Sequence, residues 1–281
     1  MNRIVVRSVI AAIALCCLLV PTGVRGQGPA SMPQIKAPEP TLAAPVAAAP
    51  APATATPAPH PDDDYWRKHD ELLKVDFGWL GKFKEADAAL APPAAGENRV
   101  VFMGDSITEG WHFTGPQGSF QGKPYINRGI SGQTTPQMLV RFRQDVIALK
   151  PKVVVILAGT NDIAGNTGPE TLERIEDNLA SMADLATANH IRVVLCSILP
   201  AIDYRWSPGV TPAPKIVAIN AWLKAYAAEK GYVYVDFHTA MKDDQNGLPA
   251  TLSKDGVHPL PAGFAIMTPL VEAGIEKALA K

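Results

Sequence analysis

Ser106 sits in "VFMGDSITEGW", two residues beyond the point where an apolar run stops at Gly104. A serine hydroxyl is a poor nucleophile unless a neighbouring base takes its proton during attack. The chain offers such a base near its C-terminus, where "SKDGVHP" sets Asp255 and His258 three residues apart around Gly256. An imidazole with Nε2 toward Ser106 and Nδ1–H toward Asp255 is a general base whose tautomer the carboxylate fixes. The tetrahedral intermediate of acyl transfer then needs donors for its oxyanion. Backbone N–H groups at Ser106 and at Gly132, in "NRGISGQTT", and the side-chain amide of Asn161, in "GTND", offer three. Glycine suits that place because bare backbone can approach a substrate closely. Taken singly, each stretch also reads as an ordinary turn, helix cap or loop. Their shared position is what separates the two readings.

That position follows from the elements around them. From Arg99 onward, "RVVFM", "PYINRG", "KVVVILAG", "RVVLCSIL" and "YVYVDF" read as five apolar strands. Helical spacing lies between them, at Leu139, Phe142, Val146 and Leu149, then Leu172, Ile175, Leu179, Met182 and Leu185. Ile216, Ile219, Trp222, Leu223 and Tyr226 mark another helix, and a last one ends near Leu279. Continuous apolar strands alternating with amphipathic helices predict a parallel sheet covered on both faces, an α/β fold. Ligands of such sheets bind beyond the carboxyl ends of the strands. The serine, glycine and asparagine stretches each follow a strand, and the Asp–His pair is expected at the same edge.

The N-terminal third is of another kind. Arg3 and Arg7, an apolar run from Val9 to Val20 and "VRG" at Val24–Gly26 predict a signal peptide over residues 1–26. Twelve apolar residues fall short of the roughly 20 that a membrane-spanning helix requires. No stable membrane span is expected after cleavage, and the protein is expected to be secreted or periplasmic. Residues 27–61, rich in Ala and Pro, cannot bury a core and read as a disordered linker. Residues 62–98 read as a helical segment that packs Trp66, Leu73 and Trp79 onto the domain at 99–281. Asp62–Asp64 are read as a helix start, where carboxylates favour the dipole, rather than as a metal site with His60 or His69.

The whole chain of 281 residues carries a formal charge of −1, which becomes −4 once Arg3, Arg7 and Arg25 leave with the signal. No nucleic-acid partner is expected, since that role leaves a basic footprint. Cys16 and Cys17 fall in the signal, so the mature domain holds Cys196 alone, in an apolar strand, and forms no internal disulfide.

"GDSIT", "ISGQT", "GTND" and "DGVHP" together resemble the four signature blocks of the SGNH hydrolases, also known as GDSL-type esterases and lipases. The likeness spans Arg99 to the C-terminus. It implies a flavodoxin-like three-layer α/β/α sandwich with a five-stranded parallel sheet and no cofactor or metal. It matches Ser106 to the family's nucleophile, His258 to its base, Asp255 to the residue orienting that base, and Gly132 and Asn161 to its oxyanion donors. Gly129 is a competing glycine, set aside because the family's functional glycine follows an Ile-Ser or Ile-Gly pair. Gln133 stands where the family often has Asp. The chain has no G-x-S-x-G elbow, which disfavours the α/β-hydrolase arrangement. The spacing is nearest to the branch of platelet-activating-factor acetylhydrolase-like and carbohydrate acetylesterase-like members, which implies short acyl groups.

Substrate contacts leave less trace. "DYRWSPG" follows the fourth strand, so Tyr204 and Trp206 are candidates to stack on a sugar and Arg205 to meet an anion. Trp111 and His112 flank the serine loop, and His238 follows the fifth strand as a rival base without a carboxylate at the D-x-x-H interval. The expected function is an exported serine esterase cleaving short, chiefly acetyl, esters on small molecules or glycans. Lysophospholipase or thioesterase activity, or a non-catalytic glycan- or wall-binding module, are the alternatives.

Overall fold

The sheet is built from five short strands that are buried almost throughout. In a computed structural model that describes residues 63–113 and 118–281, β1 (Val100–Gly104), β2 (Tyr125–Gly129), β3 (Val153–Leu157), β4 (Arg192–Cys196) and β5 (Val233–Val235) run parallel in the order β2-β1-β3-β4-β5. Runs such as "VVVIL" suit this placement, because a strand with helices over both faces has no solvent side to alternate toward. The expected signal peptide and linker lie outside the described residues. Among those residues, no helix is long and apolar enough to cross a membrane.

Two apolar layers enclose the sheet. On one face Val101, Met103, Val154, Ile156, Val193 and Leu195 meet Met138 and Phe142 of α4 (Thr135–Asp145). The same layer takes in Ile175, Leu179 and Met182 of α6 (Leu172–Ala188) and Ile216, Ile219 and Leu223 of α7 (Pro212–Lys230). On the other, Val100, Phe102, Val153, Val155 and Cys196 meet Phe237 and Met241 of α8 (Phe237–Met241) and Met267, Val271 and Ile275 of α9 (Pro261–Leu279). Each such apolar side chain contributes about 1.5–3 kcal/mol on burial. Trp111 belongs to this second layer, stacked on Phe264 and edge-on to Phe102, so it is core and not a cleft residue.

The chain reverses direction across the sheet between β1 and β3, so their following loops diverge and leave a crevice at the carboxyl edge. The short helices α3 (Ser106–Glu109) and α5 (Thr160–Ala164) start there. The chain ends at the opposite edge: the Lys281 ammonium donates to the Gly231 carbonyl, just ahead of β5, in a hollow shared with Arg192 and Val233.

The segment read as helical from Asp62 onward is two helices, α1 (Asp63–Val75) and α2 (Lys84–Ala89), separated by a turn. Asp76 breaks the helix by accepting the backbone N–H groups of Leu80 (2.8 Å) and Gly81 (3.0 Å), and Trp79 adopts a left-handed φ of 53°. Three glutamine amides hold this turn to the domain. Gln133 donates to Gly78 (3.0 Å), Gln137 to Phe77 (2.9 Å) and Gln144 to Leu80 (2.8 Å), all at carbonyl oxygens.

Candidate active site

Ser106 opens α3 directly after β1. Asp105 caps that helix by accepting the Ile107 N–H at 2.9 Å, and burial pushes its carboxyl up to about 6. Gly104 is required by crowding: a Cβ there would come 2.8 Å from the Leu157 carbonyl oxygen of β3.

The Ser106 hydroxyl lies 2.9 Å from His258 Nε2, and His258 Nδ1 lies 2.6 Å from Asp255 Oδ2. The three residues are therefore one chain of hydrogen bonds, although 152 positions separate the serine from the histidine. The other Asp255 oxygen accepts the backbone N–H groups of Val257 (2.9 Å) and His258 (2.8 Å) and the Ser253 hydroxyl (2.9 Å). Partial burial works against ionising Asp255, yet the donors from His258 and Val257 outweigh it and hold the carboxyl well below its ordinary range. Asp255 thus stays ionised and fixed while it orients the ring.

Gly132, from the turn after β2, and Asn161, from the first turn of α5, reach the same place. The Gln133 N–H closes a turn onto the Ile130 carbonyl with Gly132 at φ 78°, a conformation that costs a side-chain-bearing residue. Ser131 is pinned by Glu109, which accepts its backbone N–H at 2.8 Å and also its hydroxyl. Asn161 donates from Nδ2 to the Gln133 carbonyl at 3.0 Å. An amide nitrogen carries two protons, so one Asn161 N–H is left for a ligand. Asp162, buried beside it, accepts the Thr135 N–H at 2.9 and 3.0 Å and joins the asparagine loop to the start of α4. Burial pushes the Asp162 carboxyl up to about 7.

Gln133, where the family often has Asp, is also accounted for. Its side-chain Oε1 accepts from Arg141 Nε at 2.6 Å, and Arg141, fully buried, continues to Asp145 (2.9 Å) and the Gly104 carbonyl (3.1 Å). An aspartate could accept from Arg141. It could not also donate to Gly78, so the glutamine is what links this loop to the N-terminal turn.

Ser106, Gly132, Asn161, Asp255 and His258 line one cleft of about 650 Å³ together with Arg205 and Trp206. Tyr204 corrects the sequence reading. It is 1% exposed and stacks beneath Trp206 at 4.8 Å, so it supports the indole and does not reach the cleft. His238 is 7% exposed on α8 and lies away from this cleft.

Sequence reasoning missed the opposite wall. Tyr65 and Trp66 of α1 line the cleft, and His69 packs beneath them, 2% exposed and ringed by Tyr65, Trp66 and Trp79. Burial lowers the His69 pKa, favouring a neutral ring. The Tyr65 hydroxyl and the His69 ring lie against Gly132, 2.9 and 3.5 Å from where a Cβ would stand. The one available signal was an aromatic and histidine spacing of three and four residues, which marks a packed helix face without saying what it packs on.

Comparison with known proteins agrees with this architecture. The model of the GDSL-like lipase/acylhydrolase family matches residues 102–266, more than half of the chain. A solved GDSL-like lipase from Bacteroides thetaiotaomicron superposes with a TM-score of 0.69 at 47% identity, covering 72% of this chain and 100% of that one. Among curated relatives, an acetylxylan esterase of Xylanibacter ruminicola is 25% identical over 247 residues, 75% of this chain and 48% of its own length. An uncharacterized lipoprotein of Bacillus subtilis is 31% identical over 127 residues, 38% of this chain and 51% of its own. The chain thus spans about half the length of these two curated relatives. With a matched segment that runs from β1 into α9 and an α/β sheet of the same build, the chain belongs to the GDSL-like lipase/acylhydrolase family.

Proposed function

We propose that the chain hydrolyses short acyl esters through a covalent acyl-serine, with Ser106, His258 and Asp255 as a triad. The supporting observation is the continuous chain from Ser106 Oγ through His258 to Asp255, at 2.9 and 2.6 Å, in the cleft that also holds Gly132 and Asn161. Ser106 Oγ attacks the ester carbonyl while its proton passes to His258 Nε2. The new oxyanion takes donors from the Ser106 and Gly132 backbone and from Asn161. Collapse of the intermediate breaks the ester C–O bond, and His258 returns the proton to the departing alcohol. Water then repeats the sequence on the acyl-serine, with His258 as base, and the carboxylic acid leaves. Each oxyanion donor is worth roughly 2.7–4 kcal/mol in the transition state.

The favoured substrate is an acetyl ester on a carbohydrate. The acetylxylan esterase relative supports it, as do the indoles of Trp66 and Trp206, which line the cleft beside Ser131, Asn166 and Arg205. The lipoprotein relative supports a place at the cell envelope or outside the cell.

Purified protein is expected to hydrolyse p-nitrophenyl acetate and to prefer acetylated xylooligosaccharides over long-chain acyl esters and lysophospholipids. Ser106→Ala and His258→Ala should each lower kcat by roughly ten-thousand-fold or more. A phosphonylating reagent should add to Ser106 alone. Unchanged turnover in both variants would return the chain to the binding-module reading, and a rate that climbs with acyl length would favour lysophospholipase chemistry.

A further inference from the structure

An oxyanion amide is useful only if its nitrogen, and not its oxygen, faces the reacting carbonyl. Two contacts decide this for Asn161. The Gln133 carbonyl accepts from its Nδ2, and its Oδ1 accepts from Asn166 Nδ2 at 3.1 Å. The same Asn166 nitrogen donates to the Gly132 carbonyl at 3.0 Å. One amide group thus holds both of the loops that carry the proposed side-chain and glycine donors.

Asn166 is itself an amide that could turn over. Its Oδ1 accepts from Trp206 Nε1 at 3.0 Å. An indole N–H only donates, so it admits one orientation of Asn166, and that orientation admits one of Asn161. The backbone reinforces the order: the Asn166 N–H closes onto the Asn161 carbonyl at 3.0 Å, and Tyr204 backs the indole.

We propose that Asn166 and Trp206 are positioning residues, which set the polarity of the Asn161 amide and the seat of the Gly132 loop through one directional chain of hydrogen bonds. The proposal rests on reading Gly132 and Asn161 as oxyanion donors. It gives Trp206 a second duty: its ring face lines the cleft while its edge fixes the donors behind it.

The test is p-nitrophenyl acetate kinetics on the full chain with four single variants and one double. Asn161→Ala should lower kcat by about a hundred- to a thousand-fold. Asn166→Ala should lower kcat about tenfold with KM within about twofold, because the donors act chiefly on the transition state. Trp206→Phe keeps a ring and loses the N–H, and should lower kcat about threefold. Because the residues act in series, Asn166→Ala with Trp206→Phe should be no slower than Asn166→Ala alone. Asn166→Asp still accepts from the indole but offers no amide donor, and should be at least as slow as Asn166→Ala. It and Trp206→Phe carry the test if the alanine variant fails to fold. Affinity for a boronic acid, which forms a tetrahedral adduct with the serine, should fall by the same factor as kcat. An undiminished kcat in Asn161→Ala would sink the donor reading itself. A normal Asn161 effect with kcat unchanged in the Asn166 and Trp206 variants, or with changes confined to KM and melting temperature, would overturn the positioning proposal.

Discussion

The two walls of the cleft are held by different forces. The strand-end wall is a set of directional polar contacts: Asp162 on Thr135, Asn161 on Gln133, Asn166 on Gly132 and Asn161, Glu109 on Ser131. The α1 wall is a cluster of rings, stacked, edge-on and tilted about the buried His69, and it is tied down one turn later by glutamine amides on backbone carbonyls. Directional bonds fix the orientation of a donor, which transition-state stabilisation demands. Ring packing fixes a surface and tolerates rearrangement of what lies on it, which suits contact with the rest of a substrate. Under the proposed function, the cleft divides into a face built for chemistry and a face built for fit.

Three changes probe that division, in falling order of effect. Gly132→Ala strikes the seam, since its left-handed φ and the Tyr65 hydroxyl 2.9 Å from a new Cβ both oppose a side chain. It should cost more than about 1 kcal/mol of stability and about tenfold or more in kcat. Equal activity and equal melting temperature would mean the two walls do not bear on each other. Trp66→Ala, confined to the α1 face, should raise KM for acetylated oligosaccharides about fivefold and leave kcat for p-nitrophenyl acetate within about twofold. A matching loss on both substrates would give α1 a part in the chemistry.

The third change concerns only the strand-end wall. Asp105 and Asp162 have carboxyls raised by burial to about 6 and about 7, above the ordinary 3.8. Between about pH 4 and 7 the folded protein keeps protons that the unfolded chain has lost, so these groups make stability fall as pH rises through that window. Asp255 has a lowered value, and its opposite effect lies below that range. His69 and His238, lowered by burial, push the other way in the same window, so the variant isolates the carboxylate: relative to the unaltered protein, Asp162→Asn should raise the urea midpoint at pH 7.5 more than at pH 4.5. An equal shift at both pH values would contradict the burial argument for Asp162.

The same division explains what could be read from the chain alone. All five strands were legible, as was the meeting of Ser106, Gly132, Asn161, Asp255 and His258 in one cleft, because strand ends of a parallel sheet converge by topology and motif residues sit at fixed offsets from them. Residues 62–98 carried no comparable rule. Their break at Asp76 depends on a side-chain cap, and the placement of Tyr65 and His69 over Gly132 depends on glutamines some 60 positions away. Tyr204 was misread for a related reason. Adjacent aromatics in a loop announce contact, but which ring is outermost is decided by packing.

The seat of Lys281 has a practical corollary. Because that lysine sits on the far rim of the sheet, immobilisation through it would leave the cleft facing outward. A handle fused just ahead of α1 would crowd that cleft instead.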